Sequence, residues 1–148
     1  MLPVQIIVGS MLGASEYVAD ELAATLENAG HSATIHLQPD LSNIPQEGLW
    51  IICTSTHGAG DLPDNIQPFS EQLADQDLYA VKFSVVGLGD TSYDTFCYGA
   101  KQMQKLLSDN KAQLVREPVH IDVLEFPIPE EAAVEWLNNW IEENPDLV

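Results

Sequence analysis

Residues 49–54, LWIICT, constrain the fold more than any other stretch of the chain. They run without a charge and without the polar–apolar alternation of a half-exposed strand. A strand of this kind is buried on both faces, as in parallel sheets covered by helices. Around it, short apolar runs alternate with segments of helical period. Strands are expected at 4–8, 33–37, 49–54, 81–88 and 119–124, and helices at 15–29, 66–74, 98–110 and 129–143. In the first helix Val18, Leu22, Leu26 and Ala29 share a stripe, with Ser15 as N-cap and Gly30 as the C-terminal stop. Met103, Leu106 and Leu107 are expected to face inward from the third helix, and Val134, Leu137 and Ile141 from the last. This order gives an α/β fold: one parallel sheet of five strands with helices on both faces, in a single domain spanning 1–148.

In such sheets ligands bind outside the carboxyl ends of the strands. Three of those ends, after the first, third and fourth strands, are rich in Gly, Ser and Thr. The first is Ser10, Met11, Leu12, Gly13, Ala14 and Ser15, running into a helix. Unpaired N–H groups and the helix dipole at such a start hold anions. Gly13 admits close backbone approach, and Ser10 and Ser15 add hydroxyls. The plainer reading is an ordinary turn capped by serine. The loop has neither the G-K-[ST] ending of a nucleoside-triphosphate loop nor G-x-G-x-x-G.

The second loop, TSTHGAGDLPDN at 54–65, follows the most apolar strand, and loops of this length are usually functional. His57 taken alone reads as a solvated loop histidine. The third, GLGDTSYDTFC at 87–97, offers Tyr93 as a flat aromatic surface, while Phe96 reads as packing on the body of the domain.

Charge narrows the partners. The chain has 23 acidic and 5 basic residues, net −18, and Lys82, Lys101, Lys105, Lys111 and Arg116 all lie in its second half. Such a surface repels nucleic acid and anionic membranes and steers basic protein partners into contact. Cys53 and Cys97 form no C-x-x-C pair, which fits a reducing cytoplasm better than a disulfide framework or a metal site. The first five residues are uncharged and read as no signal peptide, and no apolar stretch approaches a membrane span. His31, His36, His57 and His120 show no zinc spacing, and no G-x-S-x-G elbow is present.

Taken together, the three loops resemble the FMN-binding pattern of flavodoxins and of flavodoxin-like domains in larger reductases. GSMLGASEYVA, STHGAGDLPDN, YDTFC and IPEEAAVEWLNNW are similar to the MioC-type group of that family. The resemblance covers nearly the whole chain. It implies a doubly wound sheet of order 2-1-3-4-5 with FMN at its carboxyl edge. Ser10–Ser15 would form the phosphate loop. Ser55, Thr56, His57, Gly58 and Ala59 would lie beside one flavin face. Leu88, Gly89, Asp90, Thr91, Ser92, Tyr93, Asp94, Thr95, Phe96 and Cys97 would lie beside the other. Tyr93 would stack on the ring, and the peptide after Gly58 would turn its carbonyl to flavin N5 once that atom is protonated. Leu12 stands where these loops usually carry Thr, Ala14 where they carry Thr or Asn, and His57 where many place Trp or Tyr. The departures imply weaker phosphate holding and a less covered flavin face.

The implied activity is electron carriage from a separate, basic-surfaced flavoprotein reductase to an acceptor redox enzyme. Asp61, Asp64, Asp90 and Asp94 on the flavin loops are expected to make the second reduction step harder. Three rival readings make other demands. A small flavin-dependent quinone or NAD(P)H reductase would need a substrate lid. A signalling receiver domain would need an acidic acceptor where Thr54 and Ser55 stand. A redox-silent interaction module would have lost FMN.

Overall fold

The computed structural model describes residues 2–11 and 13–148; Met1 and Leu12 lie outside the described residues. The elements follow in the order β1 (Val4–Gly9), α1 (Ala14–Asn28), β2 (Ala33–His36), β3 (Gly48–Thr54), α2 (Gln67–Leu73), β4 (Val81–Gly89), α3 (Tyr98–Asp109), β5 (Gln113–Leu114), β6 (Val119–Asp122) and α4 (Pro129–Glu143). All strand pairs are parallel. β1 lies between β2 and β3, and β4 adds to the far side of β3. Both β5 and β6 pair with the outer edge of β4.

The expected 2-1-3-4-5 order is therefore present, with its last strand divided. β5 pairs with Lys82 and Phe83, and β6 with Val86 to Gly89. Between them the chain leaves the ladder: Ser84 Oγ donates to the Arg116 carbonyl at 2.7 Å, and Pro118 has no N–H to give. β6 also ends at Asp122, two residues short of the expected 124. The Asp122 carbonyl accepts from Glu125 and Phe126, which bends the chain into a turn.

Alternate residues of each central strand point to opposite faces. Ile6, Val8, Ile51 and Cys53 pack against Val18, Leu22 and Leu26 of α1 and Ala133, Leu137 and Trp140 of α4. Ile7, Trp50, Ile52 and Phe83 pack against Phe69 and Leu73 of α2 and Ala100, Met103 and Leu107 of α3. β3 is buried from Leu49 to Thr54, as its lack of alternation demands. Each of its large side chains contributes roughly 1.5–3 kcal/mol by leaving water.

Three local expectations are corrected. Gly13, not Ser15, is the N-cap of α1, at φ +90°; Ser15 is a buried residue inside the helix. Ala29 is exposed, because the helix ends at Asn28 and the chain turns through Gly30 at φ +91°. On α4 the buried stripe is Ala133, Leu137 and Trp140, and Val134 stays only half-buried. The larger indole takes the core, where its Nε1–H reaches the Leu147 carbonyl at 3.1 Å. That choice rotates Val134 off the buried face. Leu106 is half-buried at the margin of the α3 contact.

The register places the functional edge. Gly9 lies beside Thr54, Thr54 beside Gly87, and Gly89 beside Asp122, so the carboxyl ends of β1, β3, β4 and β6 stand in a row. Glycine is needed there: a Cβ on Gly9 would sit 2.2 Å from Thr54 Oγ1, and one on Gly89 2.9 Å from the Cys97 nitrogen.

Candidate functional site

A cleft of about 350 Å³ opens along that row. Ser10, Met11 and Ala14 form one end, and Ser55, Thr56, His57 and Gly58 one side. Leu88, Gly89, Asp90, Tyr93, Thr95, Phe96 and Cys97 form the other side, joined by Val123. All three glycine-rich loops thus meet at one place. Gly13, Ser15, Ala59, Thr91, Ser92 and Asp94 lie on the same loops without lining the cleft. Leu12 lies outside the described residues.

The first loop is held from within. Gly13 N–H donates to Ser10 Oγ at 2.9 Å, and Ser10 N–H donates to Asn65 Oδ1 at 2.8 Å. Among the described residues, the N–H groups of Met11, Ala14 and Ser15 have no intramolecular acceptor. The hydroxyl of Ser15 is fully buried and likewise has no partner among them. A buried hydroxyl left unsatisfied costs about 1–3 kcal/mol, a cost that a ligand oxygen removes. This end therefore presents helix-start N–H groups and the Ser10 hydroxyl, with the enclosed Ser15 hydroxyl behind the wall and no Lys or Arg in it, an arrangement that suits an anion.

The second loop is tied to the first by Ser55 N–H, which donates to the Gly9 carbonyl at 3.0 Å. Thr56 Oγ1 accepts from Gly99 N–H at 3.0 Å and so anchors the loop to the start of α3. From there residues 57–61 form a tight turn. His57 N–H donates to the Asp61 carbonyl at 2.7 Å, and Asp61 N–H returns to the His57 carbonyl at 2.8 Å. The turn needs positive φ at Gly58 (+53°) and Gly60 (+107°). Gln102 donates to the Gly60 carbonyl and pins the turn to α3.

In the third loop Asp90 Oδ1 accepts from Ser92 N–H (2.8 Å) and Ser92 Oγ (2.6 Å). Thr91 Oγ1 donates to Asp122 Oδ2 at 2.6 Å. The hydroxyls of Thr91 and Ser92 thus shape the loop. The Thr91 hydrogen bond, with others from the Thr91 and Leu124 backbone, holds the Asp122 carboxyl below the usual carboxylate range. These bonds support Tyr93, a residue 64 % exposed at the wall of the cleft. Phe96 is half-buried and meets the His120 ring edge-on at 6.4 Å, so it both packs on the body and lines the cleft. Cys97 caps α3 at φ +54°. Burial pushes its thiol up to about 12, which keeps it a neutral packing group.

Sequence reasoning misses three parts of this frame. Val123 lines the cleft, although its apolar neighbours place it inside the preceding strand. Asp122 and Asn65 organise the loops through partners far away in the chain, and their neighbours in sequence give no signal of that. Among the described residues no cluster of His, Cys, Asp or Glu could hold a metal, and no helix is long and apolar enough to cross a membrane.

Comparison with known proteins agrees with this geometry. The family model described as Flavodoxin matches residues 6–141. Protein MioC of Escherichia coli K12 is 43 % identical over 143 residues, which is 95 % of this chain and 97 % of that protein. Flavodoxin YqcA of the same strain is 40 % identical over 144 residues, again 95 % and 97 %. Among solved structures, a cysteine-to-alanine mutant of flavodoxin from Pseudomonas aeruginosa superposes with a TM-score of 0.85 at 33 % identity, covering 93 % of this chain and 95 % of that one.

FMN is the cofactor that this family implies, and the residues present fit it. The Ser15 hydroxyl and helix-start N–H groups, without partners among the described residues, suit a phosphate, and the exposed Tyr93 side chain suits a flat heterocycle. From its sheet order, its three meeting loops and its match over most of its length, the chain belongs to the flavodoxin family, among its MioC-like members.

Proposed function

We propose that the cleft holds FMN and that the protein carries electrons from a separate flavoprotein reductase to an acceptor enzyme. One observation carries this reading: a single cleft joins a cation-free anion cradle at one end to an exposed aromatic platform at the other. Ser10, Met11, Ala14 and Ser15 would hold the phosphate through N–H groups and hydroxyls. Tyr93 would cover one face of the ring, and His57 would stand beside the other. Bound FMN supplies one- and two-electron chemistry on its ring system; the chain supplies position and surroundings. The peptide after Gly58, in the tight 57–61 turn, would offer its carbonyl as an acceptor to the flavin ring.

Charge supports the choice of partners. Asp61, Asp64, Asp90 and Asp94 stand on the flavin loops of a chain with net charge −18. A reductase with a basic face would be steered toward this edge, and its association would weaken with salt. Leu124 and Phe126, exposed on the turn just after Val123, add apolar contact next to the cleft.

Titrating the apoprotein with FMN while following flavin fluorescence, then reducing the complex stepwise under a visible spectrum, tests the reading. We expect a yellow one-to-one complex in which FMN is preferred over riboflavin. Its second reduction step should lie at a more negative potential than that of free FMN. A protein that stays colourless and gains no thermal stability at saturating FMN refutes it.

A further inference from the structure

Asn65 lies in the turn before α2, 55 residues from the loop it touches. Its side chain makes three hydrogen bonds, all to backbone. Oδ1 accepts from Ser10 N–H at 2.8 Å. Nδ2 donates to the Val8 carbonyl at 2.7 Å and to the Leu37 carbonyl at 2.9 Å. These partners fix the orientation of the amide, because the N–H of Ser10 needs an acceptor and the two carbonyls need donors. One side chain therefore joins the end of β1, the end of β2 and the first residue of the anion cradle.

The consequence concerns which donors remain. With Ser10 N–H turned to Asn65 and Gly13 N–H turned to Ser10 Oγ, two of the loop's donors are engaged in its own shape. Among the described residues the N–H groups of Met11, Ala14 and Ser15 meet no acceptor, and these are the donors a ligand would find. A cradle without lysine or arginine cannot draw an anion in by charge and then adjust around it. Its few dipoles must already converge, because ordering them at the moment of binding would consume the binding energy.

We propose that Asn65 is the positioning residue of the phosphate end: it sets the 10–15 loop before the ligand arrives and so determines how well a phosphate, rather than a ring, is held. The proposal rests on the FMN reading above. It assigns Asn65 no contact with FMN itself.

The test compares FMN with riboflavin, which carries the same ring and no phosphate. Fluorescence titrations of wild type and Asn65→Ala are run with both ligands, with thermal unfolding by circular dichroism as a folding control. We expect Asn65→Ala to weaken FMN binding about 10- to 100-fold and riboflavin binding less than about threefold. Asn65→Asp keeps the acceptor for Ser10 but turns a carboxylate toward two carbonyls; it should lose the preference for FMN at least as fully. Equal weakening of both ligands, or unchanged FMN binding in a folded variant, overturns the proposal while leaving the carrier reading intact. A wild-type chain that binds neither flavin overturns both. A further measurement needs no variant. Amide hydrogen exchange of the wild-type apoprotein should show Ser10 N–H protected before any ligand is added, and added inorganic phosphate should leave that protection unchanged. A Ser10 amide that exchanges as freely as an exposed loop overturns the proposal even if Asn65→Ala fails to fold.

Discussion

The two ends of the cleft are built on opposite principles. The end proposed for the phosphate is internally bonded: Ser10 and Gly13 are tied down, and the Ser15 hydroxyl is buried without a partner among the described residues. The ring end is open. Tyr93 is 64 % exposed, His57 is exposed, and the half-buried carboxylate of Asp90 lines the cleft beside the exposed one of Asp94. Affinity for a phosphate should therefore reside in geometry at the first end, where the hydrogen bonds of Ser10 and Gly13 set the shape of the loop. Redox tuning should reside in charge at the second, where solvent and salt weaken each contribution.

The sharpest way to break this contrast is Ser15→Ala. On the FMN reading the phosphate reaches this hydroxyl from the cleft beside it, and a hydrogen bond from it to a charged ligand would be worth about 1.5–3 kcal/mol. FMN binding should fall about 10- to 100-fold and riboflavin binding hardly change. The apoprotein, relieved of an unsatisfied buried group, should gain about 1 kcal/mol in urea unfolding. A variant whose apoprotein is less stable than wild type would show that Ser15 has a structural partner instead.

Tyr93→Ala tests the ring end and should give a smaller effect of different pattern. Loss of one stacking surface should weaken FMN and riboflavin alike, by roughly tenfold, in the same fluorescence titrations. A loss confined to FMN would erase the division between the ends. Smallest is the charge effect. Asp90→Asn combined with Asp94→Asn keeps the Oδ1 acceptor for Ser92 and removes two charges. It should raise the second reduction potential by a few tens of millivolts, less at high salt, with FMN affinity changed less than about threefold. Potentiometry at two ionic strengths checks it; an unchanged potential at low salt would show that the carboxylates are too well solvated to matter.

Much of the molecule is legible without coordinates because its signals are local. The unbroken apolar run of β3 announces burial on two faces, and Gly30 announces the end of α1. Three strand ends rich in Gly, Ser and Thr announce where a ligand would sit. The readings that fail depend on choices between equally local options. Ser15 is a good N-cap by composition, yet Gly13 reaches the left-handed backbone that this helix entry requires. Val134 and Trp140 both fit a helical stripe, and only packing against β-strands and the Leu147 carbonyl decides which one faces inward.

The sequence by itself determined the alternation of strand and helix, the parallel sheet and the place of the loops, since hydrophobic period and turn chemistry act over a few residues. The tertiary structure alone decided that Asn65 would tie three strand and loop ends together, that Asp122 would hold Thr91, and that Ser15 would be buried with its hydroxyl unpaired among the described residues. Each of these depends on groups far apart in the chain being brought together or kept apart at hydrogen-bond distance. Such meetings are set by sheet register, which no single stretch of the chain contains.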